Sequence, residues 1–263
     1  MIKQFSAIVL VLLWSVPAFA ANPLITDDTG TQGKGKIQLE LNVVRSGDRE
    51  NEAGISKKET GGTIAAALTC GIVDNVDLII GFPWQWSTLS EARRMISNDR
   101  GISDTSVDVK WRFFESKQQS LSLALKPGVT IPTGDATKGL GNGRISGGVM
   151  LIATKAWENG ALHCNVGYRR NAYSQEQDNA SLKQDNWHTS FASEIKIAEK
   201  IRTVVDCGIE SNSEKVPDTN PVYILGGLIY SVTENFDLDV GLKAGMNHAE
   251  RERAVLAGLS ARF

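Results

Sequence analysis

The sequence predicts an all-β protein, a transmembrane antiparallel up-and-down β-barrel of about 12 strands. Three observations predict it. The first is sustained two-residue alternation, sharpest in the closing hairpin. From Phe236 the residues Leu238, Val240, Leu242, Ala244 and Met246 share one face, and Asp237, Asp239, Gly241, Lys243 and Gly245 share the other. After a polar turn near 247–250, Val255, Ala257, Leu259, Ala261 and Phe263 alternate with Ala254, Leu256, Gly258, Ser260 and Arg262. Successive strand residues point to opposite faces, so one face is apolar and the other polar or small. The second observation is strand length, roughly 10–13 residues, near the 9–11 that a tilted strand needs to cross hydrocarbon. The third is strict alternation of long and short connections, as between the two ends of a barrel.

The elements follow in order. Met1-Ile2-Lys3, the apolar run Ala7–Trp14 and Pro17-Ala18-Phe19-Ala20 follow the plan of a secretory signal peptide cut after Ala20. The run is too short for a membrane anchor. Residues 21–35 form a polar, turn-rich lead-in that could fold inward as a plug. In it Asp27-Asp28 reads as a solvated turn in preference to a cation site, since no ligand spacing supports metal. Residues 36–263 make the barrel.

The first strand is expected at Lys36–Arg45, before a long charged loop Ser46–Glu59. Thr60–Ile72 and Val76–Trp86 flank a tight turn, and Pro83 implies a bulge or an end nearby. A second long loop, Ser87–Gly101, precedes Ser103–Glu115, where Val107, Val109, Trp111 and Phe113 alternate with Asp108, Lys110 and Arg112. Ser120–Pro132 follows, then a Gly-rich loop at Thr133–Gly143. Arg144–Trp157 and Ala161–Ala172 form a hairpin. A polar loop, Tyr173–Gln184, leads to Asp185–Ala198 and Ile201–Ser211. Beyond the loop Asn212–Asn220, Pro221–Val232 is apolar on both faces. An even count places both termini at the short-turn end.

Composition excludes some classes. Lys+Arg number 28 against 30 Asp+Glu, a formal net charge of −2, which is no nucleic-acid footprint. Cys70, Cys164 and Cys207 are odd in number and widely spaced; all three fall on apolar faces and read as wall residues rather than a disulfide framework or metal site. No cofactor is expected. A secreted β-sandwich would also alternate, but its turns need not alternate in length. In a barrel the polar face lines a lumen. Its candidate residues are Glu40, Asp108, Lys110, Arg112, Lys126, Arg169, Glu194, Lys196, Arg202, Asp206, Glu210, Asp237, Asp239, Lys243 and Arg262.

Pro23–Glu40, Gly101–Phe114 and Leu123–Asp135 resemble a family of bacterial outer-membrane proteins catalogued under the meta-pathway of phenol degradation. The resemblance implies an outer-membrane transporter or channel, for aromatic compounds among others, and supplies no catalytic or binding residues.

The leading functional expectation is passive passage of small solutes, with outer-membrane lipid and the insertion machinery as partners. A terminal aromatic, Phe263, is the expected assembly signal. A structural or surface-interaction barrel, working through its loops, is the alternative. A hydrolase is less favoured. His163 and His188 are expected near opposite ends of neighbouring strands, about 20 Å apart by strand rise, too far to share a site.

Overall fold

The computed structural model of the protein describes residues 23–263, apart from 53–54, 93, 217, 248 and 251–252, and gives only the backbone of 49–52 and 55–56. The expected signal peptide and His248 therefore lie outside the described residues. Thirteen strands form one sheet: β1 Ile37–Glu52, β2 Ile55–Val73, β3 Val76–Glu91, β4 Arg94–Ile102, β5 Thr105–Ser116, β6 Leu121–Ile131, β7 Ser146–Trp157, β8 Gly160–Arg170, β9 Asp185–Ala198, β10 Ile201–Glu210, β11 Val222–Thr233, β12 Phe236–Gly245 and β13 Arg253–Arg262. Consecutive strands pair antiparallel, except that β4 and β5 both pair with β3. β1 pairs with β13 from Gln38↔Arg262 to Gly47↔Arg253, which closes the sheet.

The wall has twelve strands because β4 and β5 act as one interrupted strand. β3 pairs with β5 through Gly81↔Ser106 and with β4 from Trp84↔Ile102. The interruption, Ser103-Asp104, lies beside Pro83, whose carbonyl accepts from the Ser103 N–H at 2.9 Å. Proline has no N–H for the ladder, so an irregularity here is the expected outcome.

Two expected loops are strand instead. Ser46–Glu59 and Ser87–Gly101 are mostly continuations of the β1–β2 and β3–β4 hairpins, with pairing carried out to Glu52↔Ile55 and Glu91↔Arg94. Their sequences are mostly polar at successive positions, and that erased the alternation that marks the wall. The Gly-rich connection contains a 3₁₀ turn, Ala136–Lys138, and the polar one a short helix, α1 (Glu176–Ser181). Among the described residues no helix is long and apolar enough to cross a membrane.

The outward face is apolar along every wall strand, with Ile37, Leu39, Leu41, Phe82, Val129, Leu151, Phe191 and Val240 among its exposed side chains. Aromatic pairs mark both rims: Trp84–Trp86 at the long-loop end, with centroids 5.6 Å apart, and Trp111–Phe113 at the short-turn end, 5.7 Å apart. Cys70, Cys164 and Cys207 are free. An apolar belt between aromatic girdles is the surface that a bilayer requires of a barrel.

Candidate functional site: the barrel interior

Residues 23–35 lie inside the barrel. The chain turns in from the start of β1 through Gly33 and Gly35, with φ of +88° and +77°, a region glycine alone adopts freely. The Gly35 N–H donates to the Gly71 carbonyl at 2.8 Å. A Cβ on Gly71 would collide with the Gly33 carbonyl. From there the segment crosses the lumen, and successive residues dock on successive parts of the wall. Gln32 N–H donates to both Asp77 carboxylate oxygens, at 3.2 and 3.0 Å. Thr29 N–H donates to Thr154 Oγ1 at 3.1 Å.

Asp27 is the centre of the arrangement. Its Oδ1 accepts from Lys110 Nζ and its Oδ2 from Lys126 Nζ, each at 2.8 Å, and all three side chains are almost wholly buried. Asn165, with its amide turned to satisfy both neighbours, accepts from the Asp27 N–H at 2.6 Å and donates to the Asp27 carbonyl at 2.9 Å. Burial alone would raise the Asp27 pKa. The two ammonium groups and their hydrogen bonds outweigh it and hold the carboxyl below the usual range. The expectation of a solvated turn at Asp27-Asp28 is thus corrected: Asp27 is fully buried. Its partners stand 83 and 99 residues away, beyond any local reading.

A second clasp has the opposite sense, with a wall carboxylate receiving the segment's backbone. Asp206 accepts from Ile25 N–H at 2.7 Å, from Thr26 N–H at 2.8 Å, from Thr26 Oγ1 at 2.8 Å and from the Tyr223 hydroxyl at 3.1 Å. Beyond it Leu24 packs with Ala192, Val204 and Ile229. Cβ atoms at Gly227 and Gly241 would strike Pro23. These contacts explain why β11 is apolar on both faces: its inward Leu225 and Ile229 are buried inside a filled lumen.

The other candidate residues divide by height. At the short-turn mouth Arg202 bridges Glu194 and Asp237, each at 3.0 Å, and Arg262 reaches the same Asp237 oxygen at 3.0 Å and Gln38 at 3.1 Å. Arg112 pairs with Glu115 at 3.4 Å nearby. Lys196, inward by alternation, is exposed at this end of β9 rather than enclosed. Glu40 is buried beside the lysine cluster, and Asp239 stands next to Asn42 across Gly258. Toward the long-loop end Lys243 pairs with Glu250 at 3.6 Å and lies 5.0 Å over the Tyr223 ring.

Above the segment, on the long-loop side, a cavity of about 160 Å³ remains. Ile25, Lys126 and Tyr223 form its floor, Asp108, Arg169, His188 and Glu210 its walls, and Leu140 to Asn142 its roof. The roof is tied down. Asp104, in the wall's interruption, accepts from Gly134 N–H at 3.0 Å and Asn142 N–H at 2.8 Å. Inward glycines, including Gly128, Gly148 and Gly167, leave the cavity open. A volume of this size holds on the order of ten waters or one small organic molecule.

Hydrolytic geometry is not present at His163 and His188. His163 shares a hydrogen bond with Thr154 at 3.0 Å, and His188 lies against Gly167, four residues farther along β8. That puts them about 13 Å apart by strand rise, nearer than expected but beyond proton-transfer reach. Among the described residues no group of three or more His, Cys, Asp or Glu could hold a metal.

Comparison with known proteins agrees with this architecture. An outer-membrane channel from Pseudomonas putida F1 superposes with a TM-score of 0.68 at 12% identity, covering 90% of this chain and 98% of its own. The NanC porin superposes at 0.54 and 12% identity (84% and 98% coverage), and the KdgM porin at 0.51 and 10% (86% and 99%). At such identity these matches speak for the fold alone. No curated protein sequence matches the chain. Residues 20–263 match the family model described as "Putative MetA-pathway of phenol degradation", and the chain belongs to that family.

Proposed function

We propose that the protein is a passive outer-membrane channel for small organic solutes, with residues 23–35 as its plug and residues 1–20 removed on export. One observation carries the reading: a cavity of about 160 Å³ bounded below by the docked segment and above by the external loops. Its lining mixes apolar Ile25, Leu140 and Met150 with charged Asp108 and Arg169. Such a lining suits a molecule with an apolar body and a polar end, a single-ring aromatic among them. The family description and the fold shared with a channel and two porins support the same reading. The charged groups of both signs at the short-turn mouth give little net preference between small anions and cations.

The test is solute flux. Refolded protein in planar bilayers should conduct weakly, and a variant lacking 23–35 should conduct strongly. Liposomes carrying the variant should take up phenol-sized compounds faster than disaccharides. Absence of both conductance and uptake in the deletion variant, with heat-modifiable migration intact, would sink the channel reading.

A further inference from the structure

The outer rim of the barrel carries unopposed positive charge on its lipid-facing side, over β13, β1, β2, β3 and β4. The register places Val43, Ile64, Trp84 and Ile102 in one row across four strands. The next row toward the long-loop end is Arg45, Gly62, Trp86 and Arg100. Arg253 lies opposite Gly47, one row farther out on the next strand, and Lys58 stands another row beyond. All of these positions continue the outward face, because side chains alternate and Val43, Ile64, Trp84, Ile102 and Val255 below them are exposed apolar wall.

Arg45, Lys58, Arg100 and Arg253 are exposed. None of the four has an ion pair among the described residues. Among the described acids nearest in register, Asp48, Glu59 and Asp99 occupy the alternate, inward positions. On β8 and β9 an outward charge is paired: Arg170 meets Asp185 at 3.0 Å. Between Arg45 and Arg100 the surface is built up rather than hollow. Gly62 has no side chain, and the Trp86 indole covers its place, since a Cβ there would strike the ring. Arg45 and Arg100 are separated by three strand spacings, about 14 Å.

We infer that this patch binds the phosphorylated headgroup of an outer-leaflet glycolipid of the lipid A type. The apolar rows below would take its acyl chains, the paired indoles its sugar–acyl boundary, and the three arginines its phosphates. Charge complementarity selects the occupant. An exposed arginine triad at the headgroup level, with no ion-pair partner among the described residues, is stable beside phosphates. Arginine presents a planar fork suited to phosphate oxygens. The inference is independent of solute passage, since it concerns the outer surface only.

The test uses the refolded full barrel in detergent and native mass spectrometry with bisphosphorylated lipid A and with the same lipid stripped of both phosphates. Wild type should bind one bisphosphorylated lipid in preference to the stripped one. Each basic residue near a lipid surface contributes about fivefold in affinity, so Arg45→Gln/Arg100→Gln/Arg253→Gln should bind roughly a hundredfold more weakly. The double variant Arg45→Gln/Arg100→Gln, expected about 25-fold weaker on the same basis, serves if the triple variant fails to refold. Lys155→Gln, near the opposite rim, should bind as wild type. Equal binding of stripped and phosphorylated lipid, or arginine variants within threefold of wild type, would overturn the inference.

Discussion

Asp27→Asn is the most informative single change. The amide keeps the shape of the carboxylate and can still accept one hydrogen bond, but it removes the only charge that, among the described residues, pairs with both Lys110 and Lys126. Breaking a buried pair from one side costs about 3–5 kcal/mol, because the remaining charge is left without compensation. Glu40 lies within electrostatic reach of both lysines and relieves part of the penalty, which favours the lower figure. A loss of about 3 kcal/mol shifts the docked-to-undocked ratio of the segment by about 150-fold. Two readouts follow. In planar bilayers Asp27→Asn should show longer and more frequent high-conductance openings than wild type. In a Cys70→Ala/Cys164→Ala/Cys207→Ala background, Leu24→Cys should react with a charged thiol reagent much faster when Asp27→Asn is also present. Asp27→Leu with Lys110→Met and Lys126→Met removes all three charges together and should restore quiet behaviour, since apolar replacement of a whole buried pair is tolerated. If Asp27→Asn matched wild type in both conductance and labelling, the clasp would not be what holds the segment.

Four further outcomes are expected. Asp206→Ala removes the acceptor for two backbone N–H groups and two hydroxyls, and should speed labelling at Leu24→Cys about tenfold or more, at 1.5–3 kcal/mol per charged hydrogen bond lost; an unchanged rate would make the Asp27 clasp sufficient alone. Because the Asp27 pKa is depressed on docking, its contribution is fully present above its ordinary value of 3.8 and is lost as pH falls through the lower docked value. Channel openings should therefore stay rare from pH 7 to 4 and rise below that, with Asp28, Glu40 and Asp77 facing the same cluster; Asp27→Asn should flatten this rise, and an equal rise in that variant would assign it to the other carboxyls. Gly71→Ala should raise conductance by displacing the Gly33 carbonyl, as seen by comparing it with Gly226→Ala, where no atom lies near the added methyl. Deleting Phe263 removes its two hydrogen bonds with Ile37 at the β1–β13 seam, and should lower the amount of assembled barrel in membranes, measured by heat-modifiable migration, without altering conductance per inserted channel.

The wall was legible in the sequence because lipid on one side and polar surroundings on the other force a two-residue period. Asp108, Lys110 and Arg112 against Val109, Trp111 and Phe113 show it plainly, and β9 has the bounds that the alternation predicts, Asp185–Ala198. Where that contrast ends, legibility ended. The outer parts of the β1–β2 and β3–β4 hairpins are mostly polar at successive positions, so their strands read as loops. The interior failed for a different reason. Whether Asp27 is a surface turn or a buried anion depends on Lys110 and Lys126, and nothing in ANPLITDDTGTQGKG announces them. One signal was available: β11 is apolar on its inward face too, and a water-filled bore would not tolerate Leu225 and Ile229 there.

The Asp104 tie has a consequence for how molecules would be sorted. A carboxylate at the break in the wall grips the connection between β6 and β7 by two of its backbone amides, on either side of Leu140. The roof is thereby an awning bolted to the frame rather than a door on a hinge. Admission of a solute would then be a matter of fixed aperture, with weak temperature dependence and no waiting time for a loop to swing. All of the moving parts would be below, in the thirteen residues that thread the bore.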